Sequence, residues 1–125
     1  MKRPKKILVV DDDEITRIGL SRLLAKEGYV VDTVSNGLEA LSYMRQQEVD
    51  LIMSDLNMPE MNGIAFLKEL NTCFPNSNVI MITGYGRVDS YLESINLGAF
   101  EYLNKPVKIE ELKPILNKIF QESNQ

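Results

Sequence analysis

The sequence has no histidine and no tryptophan. Without histidine, Ser-His-Asp and Cys-His catalysis are excluded, no imidazole can ligate a metal, and no phosphohistidine can form on this chain. Whatever chemistry occurs must run on carboxylates, hydroxyls and lysine. Cys73 is the single cysteine, so no disulfide can form within the chain, which fits a reducing cytoplasm. No apolar run approaches the ~18 residues that a membrane-crossing helix needs. The basic start Met1-Lys-Arg-Pro-Lys-Lys6 is followed only by the short apolar run Ile7–Val10, too short for a secretory signal. Positive charge is not in excess either: 14 Lys and Arg face 18 Asp and Glu, for a net charge of −4. That balance argues against a nucleic-acid-binding face. A cytoplasmic protein without direct nucleic-acid or membrane contact is expected.

The 125 residues are 44% hydrophobic and 26% charged, the composition of one ordinary globular domain. Short apolar runs alternate with helical patterns. Ile7–Val10 reads as a buried strand and Glu14–Lys26 as a helix closed by Gly28. Tyr29–Val34 is a second strand, and Asn36 with Glu39 makes a capping-box start for a helix with Gly37, Ala40, Leu41 and Met44 on its apolar face. Leu51–Met53 is the third strand, and the next helix carries Phe66, Leu67 and Leu70. Val79–Ile82 is the fourth strand, before a helix with Val88, Tyr91, Leu92 and Ile95 on one face. Phe100–Leu103 is the fifth, and the last helix shows Leu112, Ile115, Leu116 and Ile119. Pro114 predicts a kink there, or a helix start later than Lys108. Strands alternating with helices imply a doubly wound, five-stranded parallel α/β sheet with helices on both faces. The chain reads as one domain over residues 1–125, with a core from about 5 to 120 and a frayed tail at Glu122–Gln125.

In such sheets, ligands bind beyond the carboxyl ends of the strands. Strand 1 ends in Asp11, Asp12 and Asp13, strand 3 in Ser54-Asp55, strand 4 in Thr83-Gly84, and strand 5 in Asn104-Lys105-Pro106. Carboxylates gathered on one edge repel, so a cation is needed to keep them charged. A hard divalent ion with oxygen ligands, Mg2+ with Mn2+ as an alternative, answers that need. Mg2+ favours sharing a phosphate, and an aspartate can itself be the nucleophile. Lys105 would supply a cation to the transferring oxygens, Thr83 a hydrogen bond, and Gly84 space.

The set Ile7-Leu-Val-Val-Asp-Asp12, Asp55-Leu-Asn-Met-Pro59 with Gly63, Thr83-Gly84 and Lys105-Pro106 resembles the receiver domain of two-component response regulators, from Lys5 to about Phe120. The resemblance implies a flavodoxin-like, CheY-like strand order 2-1-3-4-5. It implies that Asp55 accepts a phosphoryl group from a partner's phosphohistidine. It implies that Asp11 and Asp12 hold Mg2+, Asp12 directly, with Asp55 and the main-chain carbonyl of Asn57 as further ligands. Thr83 and Tyr102 would be the switch pair, repacking the face made by helix 4, strand 5 and helix 5, and the Lys105-Pro106 bond is often cis in similar proteins. The partners implied are a sensor histidine kinase or a histidine phosphotransfer protein. An effector is also implied, as a separate protein or an output domain outside this sequence, and a second copy of the chain is a further candidate.

Simpler readings compete at single positions. Asp13 is read as a helix N-cap rather than a metal ligand, and Met58 and Met61 as loop packing. Gly84-Tyr85-Gly86 is not a nucleotide fingerprint, because the third glycine is missing. Asn57 and Tyr85 sit where similar domains tune loss of the phosphoryl group. Two other functions are weighed: a haloacid-dehalogenase-like phosphatase with Asp11 as nucleophile, which leaves Asp55 without a role, and a receiver-like interaction module independent of phosphate. The switch reading uses every strand-end group, and it makes the chain a signalling domain rather than a turnover enzyme.

Overall fold

The computed structural model describes residues 4–58, 60–84 and 88–120. The expectations placed on Met1–Arg3, Pro59, Tyr85, Gly86, the Val88 side chain and Glu122–Gln125 lie outside the described residues. Five strands and five helices alternate: β1 (Lys6–Val10), α1 (Glu14–Lys26), β2 (Val30–Val34), α2 (Gly37–Gln46), β3 (Leu51–Asp55), α3 (Gly63–Cys73), β4 (Val79–Thr83), α4 (Val88–Asn96), β5 (Glu101–Asn104) and α5 (Ile109–Phe120). All strand pairs are parallel, in the order β2-β1-β3-β4-β5, as expected.

Alternation along the inner strands feeds two separate cores. Leu8, Val10, Ile52, Val79 and Met81 join Ala40, Leu41, Phe66, Leu67 and Leu70 of α2 and α3 on one face. Ile7, Val9, Leu51, Met53, Ile80 and Ile82 join Leu20, Leu24, Leu112 and Leu116 of α1 and α5 on the other. Strands covered on both sides need no polar face, which is why β1, β3 and β4 read as unbroken apolar runs. Met58 is buried in the α2–α3 side core and Met61 packs against it, as loop packing.

Local chemistry stops and starts the helices. Asn36 and Asn62 cap α2 and α3, their side-chain oxygens accepting from the N–H groups of Glu39 (2.8 Å) and Ala65 (2.9 Å). The Glu39 carboxylate closes its box on Ser35 instead of Asn36, because Ser35 offers both an N–H (2.8 Å) and a hydroxyl (2.9 Å). After α1, the N–H groups of Gly28 and Tyr29 donate to the carbonyls of Ala25 and Leu24. That Schellman turn needs the positive φ of +95° that Gly28 adopts.

Several boundaries and one helix face differ from expectation. β3 and β4 run on through Asp55 and Thr83, β2 starts at Val30, and Phe100 lies just before β5. α5, by contrast, begins at Ile109, later than Lys108 as Pro114 predicts, and carries that proline as its sixth residue. In α4, Tyr91 and Leu92 are exposed, while Ser94 is fully buried and Ile95 is half-buried. The reason is geometric: Leu92 sits roughly 200° around the helix from Ser94. α4 packs on β5 and α3, and the strip it buries there is centred on Ser94. Among the described residues the hydroxyl of Ser94 finds no hydrogen-bond partner.

Two glycines give a test of the packing on the α2–α3 side. A Cβ at Gly63 would lie 2.6 Å from the Met81 methyl, 2.7 Å from Leu56 Cα and 2.8 Å from the Asp55 carbonyl oxygen, whereas one at Gly19 meets nothing within 4 Å. Gly63→Ala is expected to lower stability by about 2–3 kcal/mol, because backbone must move. Gly19→Ala should raise it by about 0.5–1 kcal/mol. Urea denaturation of both variants checks the pair.

Candidate functional site

Parallel pairing places the strand ends side by side. In register, Val10 of β1 faces Ser54 of β3, and Asp55 faces Ile82 of β4. Asp11 and Asp55 therefore emerge next to one another. Their carboxylates, with that of Asp12, each offer an oxygen within 4.8 Å of the others. Asp11 and Asp55 are buried and Asp12 is exposed.

Every polar group of Asp11 is engaged. Its N–H donates to the Val34 carbonyl (3.2 Å), and its Oδ1 accepts from the Asp13 N–H (2.9 Å). Its carbonyl accepts from Arg17 Nη1 (2.6 Å). Its Oδ2 faces Lys105 Nζ at 2.9 Å, an ion pair that lacks the alignment of a hydrogen bond. Lys105 Nζ also lies 3.5 Å from Asp55 Oδ1. The lysine is aimed from the end of β5, where its N–H donates to the Thr83 carbonyl (2.7 Å), and its peptide bond to Pro106 is cis.

Thr83 is buried at the end of β4. Asn57 reaches both neighbours: its N–H donates to Asp55 Oδ1 (3.3 Å) and its Nδ2 to Thr83 Oγ1 (3.4 Å). Asp11, Asp12, Asp55, Asn57, Thr83 and Lys105 thus form one constellation. Asp13 stands at the α1 N-cap position, but its carboxylate accepts from the Thr16 hydroxyl (2.6 Å) rather than from a backbone N–H. That bond holds the Asp13 carboxyl below its ordinary range. Tyr102 stands apart from the carboxylates: its hydroxyl bonds Ser90 Oγ of α4 (2.7 Å), and its ring meets Tyr91 edge-on at 5.6 Å.

Sequence reasoning missed Arg17 and the side chain of Asn57. Both act through side-chain reach, which periodicity does not report. The available signal for Arg17 was a cation in the first turns of a helix, where the dipole disfavours it.

Residues 7–117 match the family described as the response regulator receiver domain. The chain belongs to that family. It is similar to sporulation initiation phosphotransferase F of Bacillus subtilis, at 39% identity over 91% of this chain and 92% of that protein. It is 41% identical to transcriptional regulatory protein ZraR of Klebsiella oxytoca over 90% of this chain, but spans only 25% of that regulator's length. Among solved structures, response regulator protein TrrA of Thermotoga maritima, in complex with Mg(2+)-BeF, superposes with a TM-score of 0.83 at 36% identity, covering 92% of this chain and 98% of that one.

Electrostatics of the receiver's acidic edge follow from its burial. The Asp55 carboxyl is pushed up to about 6, first by burial and then by Asp11, with Lys105 pulling the other way. Burial also works against the Lys105 ammonium, but Asp11 and then Asp55 outweigh it and raise its pKa. An all-oxygen set of crowded carboxylates, one of them driven toward its neutral form, fits a hard divalent cation. No helix among the described residues is long and apolar enough to cross a membrane.

A pH test follows. Because Asp55 binds its proton more tightly folded (about 6) than at the ordinary value of 3.8, it supports the fold below pH 3.8 and loses that contribution as pH rises through 6. Without metal, Asp55→Asn should therefore stabilise the receiver by about 1–3 kcal/mol at pH 8. The gain should fade as pH falls from about 6 to 4, and Mg2+ should shrink it at pH 8. Denaturation curves across pH, with and without Mg2+, measure all three.

Proposed function

We propose that this receiver works as a phosphorylation-activated switch in which Asp55 is the phosphoryl acceptor. The observation that carries the proposal is the convergence on one sheet edge of a buried acceptor carboxylate, two further acids, a hydroxyl and a lysine ammonium. An Asp55 oxygen attacks the phosphorus of a partner's phosphohistidine in line. The P–O bond to Asp55 forms as the P–N bond to the imidazole breaks, and the departing imidazole keeps the electron pair and takes a proton. Lys105 stays beside the reacting oxygens, and its charge favours the phosphoryl group's developing negative charge. Thr83 would donate its hydroxyl proton to a phosphoryl oxygen while still accepting from Asn57.

Asp11, Asp12, Asp55 and the main-chain carbonyl of Asn57 would hold Mg2+, or Mn2+ in its place. When bound, the ion supplies neutralising charge to acceptor and phosphoryl oxygens. The chain's catalysis is confined to its own phosphorylation and dephosphorylation. Its donor is a sensor histidine kinase or a histidine phosphotransfer protein. Thr83 and Tyr102 pass the state to the face of α4, β5 and α5, where an effector or a second copy binds. The core runs from about Lys5 to Phe120 as one domain. The hydrolase reading gains no support, since the matched family is the receiver.

Incubation with acetyl phosphate and Mg2+, followed by intact mass and trapping of the acyl phosphate, is expected to show one phosphoryl adduct on Asp55. Asp55→Ala should abolish it. Lys105→Ala should keep metal binding but weaken the response. An adduct on Asp11 would instead restore the hydrolase, and an unchanged Lys105→Ala response would remove the lysine from the reaction.

A further inference from the structure

Arg17 occupies a position that ordinary helix electrostatics do not explain. It is the fourth residue of α1, near the positive end of the helix dipole, where a cation is disfavoured. No carboxylate lies within ion-pair distance of it among the described residues; Glu39 feels its charge only at longer range. Its guanidinium instead turns back past the helix start. There Nη1 donates to the main-chain carbonyl of Asp11 at 2.6 Å, in a partly buried contact. The N–H of Arg17 makes the ordinary first helical bond to the Asp13 carbonyl at 3.0 Å, so the guanidinium contact is additional to the helix's own bonding.

The segment so held is the one that carries the acidic groups. Asp11 is fixed on its strand side by Val34 and within the loop by the Asp13 N–H. Arg17 closes the remaining side, so the peptide plane between Asp11 and Asp12 has one orientation. The side chain of Asp12 is exposed, and among the described residues no hydrogen bond or ion pair orients its carboxylate. Its placement beside Asp55 therefore depends on the backbone from which it projects.

We infer that Arg17 is a positioning residue for divalent-cation binding: its bond to the Asp11 carbonyl holds Asp11 and Asp12 in the geometry that takes up Mg2+. This rests on the reading of the acidic edge as a Mg2+-dependent phosphoacceptor site. The role has a sign that a through-space effect would not share. A cation near the carboxylates should repel Mg2+, so removing the charge alone would tighten binding. Removing a positioning bond should loosen it, as loss of groups that orient metal ligands does.

Mg2+ affinity of the whole chain, by titration calorimetry, separates the two. Arg17→Met keeps the side-chain stem without charge or donor, and Arg22→Met removes the same charge from an exposed position on the same helix. Arg17→Met is expected to weaken Mg2+ binding about tenfold relative to Arg22→Met. At saturating Mg2+, its rate of phosphorylation by acetyl phosphate should return to within about twofold of wild type, a split that partial unfolding would not give. Arg17→Lys, which keeps the charge but lacks the fork, should fall between. Mg2+ binding by Arg17→Met that is as tight as by Arg22→Met, or wild-type affinity in Arg17→Lys, would overturn the role. A wild-type chain that takes up no Mg2+ would overturn the phosphoacceptor reading itself, and Arg17's role with it.

Discussion

Three carboxylates are held within 4.8 Å of one another by strands that cannot part. The Asp11 N–H is tied to β2, the Leu56 N–H to β4, and the Lys105 N–H to the Thr83 carbonyl. Separating the acids would break the parallel ladder and uncover both cores. The repulsion therefore has to be answered where it arises. Lys105 answers part of it, yet Asp55 is still raised to about 6. That departure from 3.8 corresponds to about 3 kcal/mol, a large share of the 5–15 kcal/mol that usually holds a domain folded. A cation bound among these carboxylates would relieve that cost.

The same sheet explains how the cost is tolerated. β1 and β3 carry the acids at their ends, β4 carries Thr83, and these three are the strands whose side chains are almost entirely buried. The two apolar clusters close on them from opposite sides. Stability thus sits in the strands' lengths and charge at their tips. The edge strands β2 and β5 are less buried, and β5 delivers Lys105 to the site while sharing Tyr102 with α4.

Most of this was legible in the sequence. Apolar runs ending in Asp, Ser-Asp, Thr-Gly and Asn-Lys-Pro marked the inner strands and the active edge together, because burial and chemistry meet at the same residues. The face of α4 was misread: Tyr91 and Leu92 look like core by hydrophobicity, but α4 turns Ser94 inward. Ser94 shows why, since a serine carries no periodic signal and its hydroxyl is buried without a partner among the described residues. Arg17 and the contact of Asn57 with Thr83 were hidden for another reason. Their roles lie in single hydrogen bonds reaching six residues back along the chain and across to the next strand, and no pattern of polarity encodes reach.

The link from the acidic edge to α4 can be weighed by counting bonds. For Thr83 to serve a phosphoryl oxygen on Asp55, its hydroxyl must turn its proton toward that oxygen, which is compatible with the long 3.4 Å bond it accepts from Asn57 Nδ2. For Tyr102 to follow, its hydroxyl must leave Ser90 Oγ at 2.7 Å and its ring must leave the edge of Tyr91. Each loss is about 0.5–1.5 kcal/mol. Bonds to a phosphoryl group are charge-assisted and stronger than those they replace. In the proposed switch the first step would be favourable and the second uphill, so the acceptor end would have to drive the aromatic end. The two Tyr102 losses together are about 1–3 kcal/mol, a cost that a two-state element can carry without unfolding the sheet that supports it.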